Sequence, residues 1–104
     1  MKIQLLYFEG CPSYKHALEN LNSVLSEQEM KASVEMINIT SLVEAEDLHF
    51  LGSPTIQIDG VDLEGADAAK AGVGYGCRVY IEGGQMRGWP SKEHIRSSLS
   101  KLIK

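Results

Sequence analysis

Cysteine and proline are scarce in this chain of 104 residues, with two and three respectively. Two cysteines are too few for the multi-bridge framework of a small secreted domain. Positive charge is also short: ten Lys and Arg against fourteen Asp and Glu leave a net −4. The sequence therefore offers no basic field for nucleic acid or for an anionic membrane surface. No apolar run approaches the ~20 residues that cross a bilayer. The opening "MKIQLLYFEG" is too short an apolar stretch for a signal peptide, and Glu9 interrupts it with no small-residue cleavage site after it. Together these absences lead us to expect a cytoplasmic protein with reduced thiols and neither nucleic-acid nor membrane partners.

Several chemical motifs are missing as well. Cys11 has no second cysteine three residues on, because position 14 is Tyr14. Cys and His nowhere take zinc-ligand spacing, and "GVGYG" at 72–76 matches neither the P-loop nor the dinucleotide pattern. The acidic residues Asp59, Asp62, Glu64 and Asp67 lack the alternation and terminal bidentate glutamate of a calcium loop, so we expect a solvated acidic loop. No metal and no cofactor is expected.

What is present is a pattern of short elements with 43% hydrophobic residues, enough for one packed domain over 1–104. "IQLLYF", 3–8, reads as a buried strand. From Pro12 to about Gln28, Ala17, Leu18, Leu21, Val24 and Leu25 recur at helical spacing, with Pro12 at the first position where a missing N–H costs nothing. Residues 33–39 alternate as a second strand, and Ser41 with Glu44 forms a capping box for a short helix to about Leu48. "TIQI", 55–58, is a third strand closed by the turn dipeptide Asp59-Gly60, and "VYIE", 79–82, a fourth ended by Gly83-Gly84. Ser91 caps a last helix whose Ile95, Leu99, Leu102 and Ile103 share one face. Between the third and fourth strands, 59–76 holds five of the ten glycines and "ADAAKA", which suits one weak helical turn. A connection that long in a compact domain often serves function.

This order of elements, with "GCPSY" between the first strand and a long helix, "GSPT" at 52–55 and a capped helix after "RGW", resembles the thioredoxin fold. More closely, "LYFEGCPSY", "FLGSPTIQIDG" and "GCRVY" resemble small bacterial thioredoxin-like proteins, some of them labelled alkylmercury lyases. The resemblance implies an α/β fold: a central four-stranded mixed sheet flanked by helices, with an insertion between the third and fourth strands. It implies a cis Ser53–Pro54 bond beside the reactive sulfur, with Ser53 and Pro54 contacting substrate backbone. It places Cys11 at the first motif cysteine, while Tyr14 departs from the second and removes dithiol exchange within the motif.

The residues argue for Cys11 independently. A helix N-terminus presents unpaired N–H groups and the positive end of the macrodipole. Thiols there ionise at roughly pH 3.5–7.5 rather than about 8.5. The N–H groups of Ser13 and Tyr14 remain after Pro12, the Ser13 hydroxyl can reach the sulfur, and the Tyr14 phenol either packs or lines the site. His16 is expected to point elsewhere, His94 to be exposed, and Trp89 to pack on the sheet. Cys11 is thus expected to be an exposed nucleophile for thiol–disulfide exchange, with a thiol or disulfide protein, or a small-molecule thiol, as partner.

Cys77 is left open. As the start of a simple hairpin strand it would lie more than about 10 Å from Cys11, too far for a disulfide. It would then be buried beside Val79 and Ile81. A hairpin needs only roughly two to five connecting residues, so the long 59–76 segment, hinged at Gly72, Gly74 and Gly76, could instead return Cys77 to Cys11. It would serve there as resolving thiol or as second ligand for a soft metal. A redox-inactive binding module around Pro54 is the third alternative.

Overall fold

The computed structural model describes residues 2–30, 32–65 and 74–102. The helical turn expected in 66–71, Asp67, the Gly72 hinge and Ile103 lie outside these residues. The elements run β1 (Ile3–Tyr7), α1 (Tyr14–Glu27), β2 (Val34–Asn38), α2 (Leu42–Asp47), β3 (Leu51–Ser53) and β4 (Thr55–Ile58). They continue as β5 (Val61–Asp62), β6 (Gly74–Cys77), β7 (Tyr80–Glu82), β8 (Gln85–Arg87) and α3 (Lys92–Leu102).

A four-stranded mixed sheet in the order β2-β1-β4-β5 forms the middle of the molecule. β1 pairs in parallel with β2, which requires a crossover, and α1 supplies it. On its other side β1 is antiparallel to β4. Side chains alternate across β1. Ile3 and Leu5 pack with Ala17, Leu21, Val24 and Leu25 of α1 and with Ile95 and Leu99 of α3. Leu6 faces the opposite way and packs with Ile39, Ala45 and Phe50 around α2. Burial on both faces explains why "IQLLYF" reads as a nearly continuous apolar run rather than an alternating one.

The four-stranded count matches the sequence expectation, but the fourth strand does not. Asp59 and Gly60, at φ 51° and 84°, make the tight turn that folds Val61–Asp62 straight back onto β4, so β5 takes that edge. Residues 80–82 pair with Gln85–Arg87 instead, across the Gly83-Gly84 turn, as a separate two-stranded hairpin. A third sheet, unforeseen, joins β3 in parallel to β6. Among the described residues no helix is long and apolar enough to cross a membrane.

Both expected caps are formed. Ser41 Oγ accepts the Glu44 N–H at 3.2 Å, and Glu44 Oε1 reaches back to the Thr40 N–H at 2.9 Å. Ser91 Oγ accepts the His94 N–H at 3.1 Å. The same serine donates its hydroxyl and its N–H to Glu82, which ties the β7–β8 hairpin to the start of α3. α1 starts slightly later than the pattern suggests: Pro12 and Ser13 form the turn before it, and Ser13 makes no side-chain cap.

Partial burial pushes the Glu82 carboxyl upward, yet the Ser91 hydrogen bonds, helped by the charges of His94 and Arg87, outweigh it and hold Glu82 below its ordinary value of 4.5. A depressed folded-state pKa stabilises above the unfolded pKa and loses that contribution as pH falls through the folded value. Glu82→Gln should therefore cost about 1 kcal/mol at pH 7, and the gap to wild type should close as pH falls below 4.5. Urea unfolding of the two proteins from pH 7 down into the acid range checks this.

Candidate functional site

Cys11 follows β1 in the turn that leads into α1, where its N–H donates to the Phe8 carbonyl at 3.2 Å. That turn is tight: a Cβ on Gly10 would lie 2.5 Å from the Phe8 ring. The helix beyond it uses its first carbonyls early, because Pro12 accepts from Lys15 and Ser13 from His16 and Ala17. The N–H groups of Ser13 and Tyr14 are left beyond the reach of any helical carbonyl.

Cys77 arrives from the far end of the chain. β6 runs parallel to β3 with Ser53 opposite Cys77, and the Arg78 N–H donates to the Ser53 carbonyl at 2.9 Å. The same carbonyl lies 3.8 Å from Cys11 Sγ. Cys11 and Cys77, 66 residues apart in sequence, are joined as a disulfide with Cα atoms 5.9 Å apart. The hairpin geometry that would have separated them does not arise, because the strand carrying Cys77 is the neighbour of β3 and not of β4.

The exposures of the two cysteines run against expectation. Cys11, expected to be exposed, is only 3% accessible. Cys77 is exposed, so the alternative of burial beside Val79 and Ile81 does not hold either. From Cys77 the chain alternates outward and inward: Cys77, Val79 and Ile81 face solvent, while Arg78 and Tyr80 turn in. Met86 pairs with Ile81 across the hairpin and is exposed too.

The Ser53–Pro54 bond is cis, as expected. Behind it lies a buried polar network that the sequence reading missed. Arg78 makes a bidentate pair with Asp62, at 2.7 and 2.9 Å, and both side chains are about nine-tenths buried. Its guanidinium also sits 4.5 Å over the Tyr80 ring, and the Tyr80 hydroxyl donates to the Pro54 carbonyl at 2.6 Å. Thr55 Oγ1 donates to the Gly52 carbonyl, closing the loop on the other side of the proline. Burial alone would pull the Arg78 pKa down, but the Asp62 hydrogen bonds and the surrounding charges overcome it and the net direction is up. Burial raises the Tyr80 phenol well above its ordinary value, so it stays a neutral donor. Asp62 is thus a buried counter-ion rather than part of a solvated acidic loop. Glu64, too, is paired: it meets His94, which is only partly exposed and lies edge-on to Tyr80. Arg78, a charged residue between Cys77 and the apolar run Val79-Tyr80-Ile81, was a signal in the sequence for this network.

Gly52 is required where β6 passes. It holds φ +115°, and a Cβ there would stand 2.9 Å from Arg78 Cβ and 3.2 Å from Arg78 backbone. Ser53 is fully buried, and its Oγ has no partner among the described residues. Ser13 abuts Gly88, where a Cβ would come within 2.8 Å of its Oγ. Tyr14 stacks on Tyr7 at 4.2 Å and packs against the core. Trp89 packs there as well and stacks on His16. His49 lines a cavity of about 170 Å³ with Leu51, Gln57 and Val61, whose lining includes neither cysteine. Among the described residues no group of three or more His, Cys, Asp or Glu is placed to hold a metal ion.

Compared with protein-family models, curated proteins and solved structures, the chain gives no significant match.

Removing one partner of a buried ion pair strands the other charge. Asp62→Ala should lower unfolding stability by about 3–5 kcal/mol, read from urea midpoints. The double variant Asp62→Leu with Arg78→Met, which removes both charges, should recover much of that loss.

Proposed function

We propose that this protein is a thioredoxin-like thiol–disulfide exchange protein in which Cys11 and Cys77 form the redox couple. The observation that carries the reading is the meeting of two cysteines 66 residues apart, at a Cα separation of 5.9 Å, next to the cis Ser53–Pro54 bond. A Cα distance in this range suits a bond that can close and open without moving the backbone far. Cys77 thereby takes the part that a second cysteine at position 14 would play in a Cys-x-x-Cys motif. The element order, a parallel β1–α1–β2 unit followed by antiparallel β4 and a closing α3, is compatible with the thioredoxin-like resemblance. The segment between β5 and β6 would then be the insertion that delivers Cys77.

The partner is a thiol or disulfide protein, or a small-molecule thiol such as glutathione. Exchange runs through a mixed disulfide, and two electrons pass from the partner's thiols to the Cys11–Cys77 bond or back. The convergence of the two sulfurs also favours a second reading, a two-coordinate site for a soft cation such as mercury(II) or copper(I).

Oxidation of the reduced protein with glutathione disulfide should give a monomer whose non-reducing peptide map contains a linked Cys11–Cys77 peptide. Dithiothreitol should reverse the link, and either Cys→Ser change should abolish it. Intermolecular dimers alone, or two persistently free thiols, would count against the exchange reading and leave a redox-inactive binding module. Stoichiometric retention of mercury(II) on dialysis, lost in either single variant, together with no exchange activity, would favour the soft-metal reading.

A further inference from the structure

The two sulfurs are not equivalent, and their surroundings assign them different parts. Thiol–disulfide exchange is an in-line displacement: the attacking thiolate, the attacked sulfur and the leaving sulfur fall near one line. The attacked sulfur must therefore belong to the residue that solvent reaches, with the leaving sulfur on its protein side. Cys77 is exposed at the end of β6. Cys11 is 3% accessible, enclosed in the turn before α1 with the Ser53 carbonyl 3.8 Å from its sulfur. A second, independent feature points the same way. The sulfur better able to carry negative charge leaves faster, and Cys11 sits before the first N–H groups of α1, those of Ser13 and Tyr14, which have no preceding helical carbonyl to pair with.

We propose that Cys77 is the sulfur that exchanges with partners and that Cys11 is the enclosed leaving and resolving thiolate. The inference rests on the exchange reading above and reverses the order expected from Cys11 as first motif cysteine. In the reducing half-reaction a partner thiolate attacks Cys77 Sγ. The partner–Cys77 bond forms, the Cys11–Cys77 bond breaks, and Cys11 leaves as thiolate. A second thiolate from the same dithiol, or from another monothiol, then attacks the partner sulfur and releases Cys77, which takes a proton from water. Two thiols are oxidised to one disulfide as one disulfide is reduced to two thiols. In the other direction Cys77 thiolate attacks one sulfur of a substrate disulfide; the Cys77–substrate bond forms, the substrate disulfide breaks, and its other sulfur leaves as thiolate. Cys11 thiolate then displaces the substrate sulfur from Cys77 and re-forms the internal bond.

The test uses wild-type protein and glutathione. Oxidised protein is mixed with reduced glutathione, quenched in acid, alkylated with iodoacetamide and peptide-mapped. Glutathione should sit on Cys77 with Cys11 alkylated, in about tenfold excess over the reverse arrangement. As a second measurement, reduced Cys11→Ser should take up glutathione from glutathione disulfide about tenfold faster than reduced Cys77→Ser at pH 7. A linked Cys11–Cys77 peptide accompanied by glutathione mainly on Cys11, or equally on both, overturns the assignment and leaves the exchange reading intact. If no linked peptide forms at all, both fall together.

Discussion

A buried guanidinium has to meet its counter-charge inside the protein, and the meeting of Arg78 with Asp62 constrains where the adjacent Cys77 can lie. Asp62 stands on the short edge strand β5, and Arg78 directly follows β6, the next described strand in the chain. Their bidentate pair joins β5 to the residue after β6. Cys77 precedes Arg78, and the backbone N–H of Arg78 is already given to Ser53. With the side chain held by Asp62 and the main chain by Ser53, the preceding residue has little choice but to lie beside the proline loop. Isolated buried ion pairs contribute little net stability. Here the pair bridges β5 and the residue that follows Cys77, beside the backbone contact of Arg78 with Ser53.

The proline loop is the other half of the same arrangement. Its three consecutive carbonyls all serve as acceptors: Gly52 takes the Thr55 hydroxyl, Ser53 the Arg78 N–H and Pro54 the Tyr80 hydroxyl. Gly52 has no side chain because the Arg78 backbone passes where a Cβ would be. The loop, β6 and the inward-facing residues of the "CRVY" run therefore lock together from both sides. The outward-facing residues of that run, Cys77 among them, are left to solvent. The alternation of outward and inward residues along 77–81 thus produces both the buried network and an exposed Cys77 in the same few residues.

Much of the architecture was legible from local pattern. The amphipathic spacing of α1 and the serines that cap α2 and α3 depend on neighbours three or four residues away, and β1 announces itself as a short apolar run; the structure has each of them. The site was legible only in pieces. Cys11, Ser53 and Pro54 could be singled out, but not the network that supports them. Arg78, Asp62 and Tyr80 carry no motif, and an acidic loop rich in glycine reads as solvated until its counter-ion is found. The mistaken fourth strand has a similar origin. Both 61–62 and 79–82 are credible partners for β4, and the choice turns on how tightly the Asp59-Gly60 turn closes.

By itself, then, the sequence determined the helices, the central strands, their caps and turns, and the position of one cysteine before a helix, because each follows from contacts within a few residues. Only the tertiary structure decided what Cys77 is. A pairing across 66 residues is set by which strand lies next to which, here β6 along β3, and no local periodicity encodes that choice. The same long-range packing enclosed Cys11 and left Cys77 in solvent, since burial depends on everything that surrounds a residue and not on its neighbours in the chain.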